Sequence, residues 1–114
     1  MAIGTTFYTQ VDVTSGVSTS TVGAATVNNQ TGVITTESLT TAAAATYTFT
    51  LTNALINANS VVSVTAGKGT ATTGGLVPIF TTPVAGSAVI IFQNVTLAAL
   101  NGTVKLFFSV FNMN

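Results

Sequence analysis

The chain has 114 residues, of which four carry a charge, Asp12, Glu37, Lys68 and Lys105, for a net charge of zero. An ordinary globular domain is about 25% charged, and with no His, Cys, Arg or Trp this one lacks nearly every side chain used for acid–base, thiol or metal chemistry. The composition argues against an enzyme and against a bound cofactor, and favours a chain assembled with others over one held apart by charge.

The length fits one domain, residues 1–114, able to bury a core without disulfides or metal. Its elements read as strands throughout. Met1 to Thr6 is a lead-in of mostly small residues to Phe7-Tyr8, and the alternation from Phe7 to Val13 predicts a first strand. Residues 1–14 can thus be an N-terminal arm exchanged with a neighbour or an ordinary edge strand. Further strands are expected over Ala24 to Asn28 and Val33 to Glu37, separated by the turn residues Asn29-Gln30-Thr31-Gly32.

The clearest signal is Thr46-Tyr47-Thr48-Phe49-Thr50-Leu51-Thr52. Successive side chains of a strand point to opposite faces, so Tyr47, Phe49 and Leu51 enter a core while four threonines line the other face. Before it, Ala42 to Ala45 is helix-friendly but short, and after it Ala54 to Asn57 suffices for one turn. Strands follow at Ser60 to Thr65, Leu76 to Thr81, Ala88 to Val95 and Thr103 to Phe111, with turns at Gly67-Lys68-Gly69, Thr73-Gly74-Gly75 and Pro83 to Ser87. Asn101-Gly102 has the residue types of a type I′ turn and predicts a hairpin joining the last two strands. About eight short strands with no helical stripe predict an all-β domain, an antiparallel β-sandwich, for which a jelly roll is one allowed strand order.

Few residues are candidates for chemistry. Asp12 and Glu37 could pair as carboxylates only if the fold brought them together, and their spacing favours separate exposed charges. Gly67-Lys68-Gly69-Thr70 resembles the end of a phosphate-binding loop but lacks the earlier glycine and the following helix, which leaves Lys68 as a charge on a loop tip. The two lysines stand 37 positions apart and form no basic patch, so no nucleic-acid partner is expected. The longest apolar run, Ala88 to Phe92, is far below the roughly 20 residues of a spanning helix, so no membrane partner is expected either. The N-terminus has no basic and apolar leader pattern, so no secretory precursor is expected. The threonines at 46, 48, 50 and 52 would suit an ice-matching array only if repeated on neighbouring strands, and the sequence has no such repeat.

The C-terminal segment is apolar on two faces: Phe107, Ser109 and Phe111 share one and Phe108 and Val110 the other. Such a strand must be covered on both sides. Phe7, Tyr8, Phe107, Phe108 and Phe111 are therefore the expected interface residues.

The run from Thr26-Val27-Asn28-Asn29-Gln30-Thr31-Gly32 through to Thr50-Leu51-Thr52-Asn53, followed by Asn59-Ser60-Val61-Val62 and by Ala99-Leu100-Asn101-Gly102-Thr103-Val104-Lys105, resembles small virion proteins of tailed bacteriophages of aquatic bacteria. The resemblance implies a β-rich capsid decoration or cement protein on the outer capsid surface, a homo-oligomer with a trimer favoured, bound to the major capsid protein. Head-fibre or tail adhesion modules that recognise the host surface share this composition and are the alternative. A pilus-like or surface-layer subunit is a third reading.

Overall fold

The computed structural model of the protein describes residues 15–20 and 22–112. The expected strand over Phe7 to Val13, the arm over 1–14, and Asp12 lie outside the described residues. The rest is all-β: β1 (Ser15–Thr19), β2 (Ala24–Thr26), β3 (Thr31–Thr35), β4 (Thr46–Thr52), β5 (Ser60–Lys68), β6 (Leu76–Val84), β7 (Ser87–Asn94) and β8 (Val104–Asn112). They form two four-stranded sheets, a front sheet ordered β1-β3-β8-β5 and a back sheet ordered β2-β4-β7-β6.

The chain changes sheet at every connection except β6 to β7. This alternation makes the sheets mixed: β1 and β3, two strands apart in sequence, run parallel, as do β2 and β4, while every other pairing is antiparallel. The expected hairpin at Asn101-Gly102 is corrected here, because β7 and β8 belong to different sheets. Gly102 instead bridges to Leu39, and the Asn101 side chain accepts hydrogen bonds from the backbone of Thr72 and Thr73 at 2.7 and 3.1 Å. The hairpin of the fold is β6–β7, turned by Ala85-Gly86 with Gly86 at φ +84°, a conformation that favours glycine.

The core forms between the sheets from the alternate residues of each strand. Phe49 and Leu51 on β4, Ala88, Ile90 and Phe92 on β7, and Ile34, Leu106, Phe108 and Val110 opposite are all buried. Burying a Phe or Leu side chain is worth about 1.5–3 kcal/mol, so this layer holds the two sheets together. Tyr47 packs partly against it, its ring 6.3 Å from that of Phe92.

Neutral side chains tie the loops down. Asn53 and Asn94 are fully buried. Asn53 donates to the Asn29 carbonyl at 2.7 Å and accepts from the Leu55 amide at 2.8 Å. Asn94 donates to the carbonyls of Thr41 and Ala98 and accepts from the amides of Gly75 and Thr96. Amides carry both a donor and an acceptor, so a chain poor in charges still satisfies its loop backbone.

Candidate interaction surface

β8 is the third strand of the front sheet, with β3 and β5 on either side, and its alternation sorts the C-terminal phenylalanines. Phe107 and Phe111 point outward and are 43% and 52% exposed. Phe108 is 5% exposed, its ring packed over Gly32 of β3. The expectation for Phe108 as an interface residue is therefore corrected: it belongs to the domain's own core. Phe7 and Tyr8 lie outside the described residues.

Cross-strand register extends the outward apolar set beyond β8. Val17 of β1 faces Val33 of β3, which faces Phe107, and Val61 of β5 faces Phe111. Val17 is 81% exposed. The ring of Phe107 leans over Gly67, where an added Cβ would stand 2.6 Å from the ring. This close approach explains a glycine inside β5. The expected turn at Gly67-Lys68-Gly69 is corrected accordingly: Gly67 and Lys68 pair with Lys105 and Val104, so Lys68 ends a strand and is not on a loop tip. Lys105 is the only charged residue on the outward face of the front sheet among the described residues.

The outward face of the back sheet has no charged residue among those described. The threonines of β4 lie beside Gln93, Ile91, Val89 and Ser87 of β7, so the ladder is not repeated on that neighbour. Beyond β7, Phe80 is 67% exposed, and Val77 and Val84 are exposed too. Both sheets thus present faces with large apolar side chains among hydroxyls, interrupted among the described residues by one charge, Lys105. Single exposed apolar residues are ordinary, whereas contiguous ones mark contact surfaces.

Glu37 has a different role from the free exposed charge the sequence suggested. Its Oε1 accepts hydrogen bonds from the Ser20 hydroxyl and, at 3.1 Å, from the Tyr47 hydroxyl, and its own amide donates to Ser20 Oγ at 3.1 Å. Ser20 and Glu37 follow β1 and β3 of the front sheet while Tyr47 sits on β4 of the back sheet, so the carboxylate ties the sheets at one end. Burial opposes its ionisation, but hydrogen bonds from Ser20, its own backbone, Tyr47 and the Gly23 backbone outweigh that and hold its pKa below the usual carboxylate value. Burial, then the neighbouring carboxylate, pushes the Tyr47 phenol well above its ordinary value.

A cavity of about 310 Å³ lies where β5 ends, lined by Lys68, Ala71, Gly74, Leu76, Leu100 and Val104. Its lining offers one amine and the Thr72 hydroxyl, which accepts a hydrogen bond from Asn101, with no carboxylate, imidazole or thiol beside them. Among the described residues no group of three His, Cys, Asp or Glu side chains could hold a metal ion, and no helix is long and apolar enough to cross a membrane. The outward apolar residues that sequence reasoning missed, Val17, Val61 and Phe80, carry no motif; strand parity with the register marks them. The chain matches no family model, no curated protein and no solved structure.

Proposed function

We propose that this protein is a structural subunit of a bacteriophage particle, a decoration or cement protein that self-associates and sits on the outer capsid surface against the major capsid protein. The observation that carries the reading is the pair of outward sheet faces, which hold a single described charge, Lys105, among Val17, Val61, Phe107 and Phe111 in front and Val77, Phe80 and Val84 behind. Faces of this kind suit permanent contact with protein, because Lys105 is the one described charge that would be desolvated when they are covered. The wording of the stretch from Thr26 to Asn53, which resembles phage virion proteins, supplies the particle.

Such a subunit acts by binding. Set at a junction between shell subunits, it touches several of them at once, and contacts that are weak singly add through effective concentration. The joined subunits then resist the outward pressure of packaged DNA. Neither turnover nor a cofactor is needed, which suits a chain whose titratable groups are so few.

The test is to label the chain with antibody on intact particles of the phage that encodes it and to view them by electron microscopy. Label spread over the head is the expected result. Label confined to the tail tip would replace this reading with that of an adhesion module.

A further inference from the structure

Among the described strands four end the two sheets, and they are guarded unequally. β2 has three residues and β1 five. β6 carries Pro78 and Pro83 and a register shift between Pro78 and Phe80, all of which spoil pairing along an edge. β5 has nine residues, no proline and an unbroken register with β8, and its one charge, Lys68, stands at its last position. Its ladder partner is β8 alone among the described strands. Its inward valines, Val62 and Val64, keep 8% exposure while Leu106 of the adjacent strand has none, so the core reaches water along this edge. A long edge with an unbroken register and its one charge at the end is a template for another strand.

We infer that β5 pairs with β5 of a second copy, antiparallel across a twofold axis at Val64, to give one eight-stranded sheet in the order β1-β3-β8-β5-β5-β8-β3-β1. The sequence of β5 is complementary to itself in this register. Val64 meets Val64, Ser63 meets Thr65, Val62 meets Ala66, Val61 meets Gly67, and Lys68 meets Ser60. No like charges oppose each other, and the net charge of zero adds no repulsion at longer range.

Val61 of one copy then lies beside Gly67 of the other, under the ring of that copy's Phe107. With Phe111, the cross-strand neighbour of Val61, these side chains form one apolar strip across the junction. A nine-residue antiparallel ladder makes roughly eight to ten main-chain hydrogen bonds, about as many as a standard protein interface makes in all. The contact is isologous, so it closes on itself and leaves, among the described strands, β1 of each copy at the edges of the joined sheet.

This inference needs self-association only and holds whichever particle the chain joins. It gives even-numbered assemblies in place of the trimer that the resemblance implies. The experiment is light scattering during size-exclusion chromatography of the natural chain and of the double variant Ser63→Lys/Thr65→Lys, with far-UV circular dichroism to check the fold. The natural chain is expected at twice its 11.5 kDa mass, or an even multiple of it. In the double variant, lysines face lysines at two positions of the ladder, and the dissociation constant should rise roughly tenfold or more. The control Thr48→Lys, on the back sheet, should leave the mass unchanged. A natural chain that is monomeric or trimeric overturns the inference, as does a folded double variant that associates as tightly as the natural chain. None of these results decides where antibody label falls on a particle.

Discussion

Replacing Asn94 with alanine should remove a large part of the fold's stability, and the size of the loss can be worked from its partners. The side chain donates to Thr41 O at 3.1 Å and Ala98 O at 2.8 Å, and accepts from Gly75 N at 3.3 Å, Thr96 N at 3.0 Å and Thr96 Oγ1 at 2.7 Å. The two carbonyls still have donors in the variant, since Leu100 N reaches Thr41 O at 2.9 Å and the single Thr96 hydroxyl proton, released from Asn94, can turn to Ala98 O at 2.9 Å. The Gly75 and Thr96 amides lose the Asn94 acceptor. A stranded donor costs about 1–3 kcal/mol. Both sites are partly buried and water can offset some of the loss, which sets the expected destabilisation at about 3 kcal/mol. Domains of this size are stable by roughly 5–15 kcal/mol, so the loss is a large fraction of the whole. Urea unfolding at fixed protein concentration should show a midpoint lowered by about 2 M. Gln93→Ala, which removes an exposed bond to Ala44 O, should change stability by less than about 0.5 kcal/mol. A loss below about 1 kcal/mol for Asn94→Ala would refute the argument that neutral amides hold these loops in place of charges.

Three further outcomes follow from the same structure. Phe108→Ala should destabilise by about 3–5 kcal/mol and Phe107→Ala by far less, because only the first ring is in the core; equal losses in urea would contradict the two-faced reading of β8. Phe111→Asp should abolish self-association and leave the circular dichroism of the fold intact, and an unchanged mass in light scattering would remove Phe111 from the interface. The Glu37 carboxyl titrates below its ordinary 4.5 in the fold, so the stability it contributes is present above that value and lost as pH falls through the lowered one. The Tyr47 phenol titrates above its ordinary 10.0, so its contribution is complete below pH 10 and lost as pH rises beyond it. Glu37→Gln should flatten the acid limb of a stability–pH curve and Tyr47→Phe the alkaline limb; natural-like limbs in both variants would mean that the tie between the sheets carries no linkage.

The sequence was informative where one face of a strand is apolar and the other polar. The alternation of Thr46 to Thr52 put Phe49 and Leu51 inside, and Phe107 and Phe108 were sorted by parity, though not assigned to solvent and core. It was silent for β1, whose residues Ser15 to Thr19 include no large inward side chain and whose one large apolar residue, Val17, faces out. Periodicity also says nothing of which sheet a strand joins. A short turn can return a chain to its own sheet or carry it across to the other, and Asn101-Gly102 does the second. Gly67 has the look of a turn residue in the sequence because the reason for its lack of a side chain, the Phe107 ring on the adjacent strand, is 40 residues away. Buried Asn94 looked like one more polar residue near a strand end, since its partners at 41, 75, 96 and 98 meet only in the fold.

The role proposed for this chain is that of a covering subunit of a phage shell. Quantitative mass spectrometry of purified particles, calibrated on the major capsid protein, tests it most directly. The account predicts a copy number comparable to that of the capsid protein. A handful of copies per particle, or none, would contradict it.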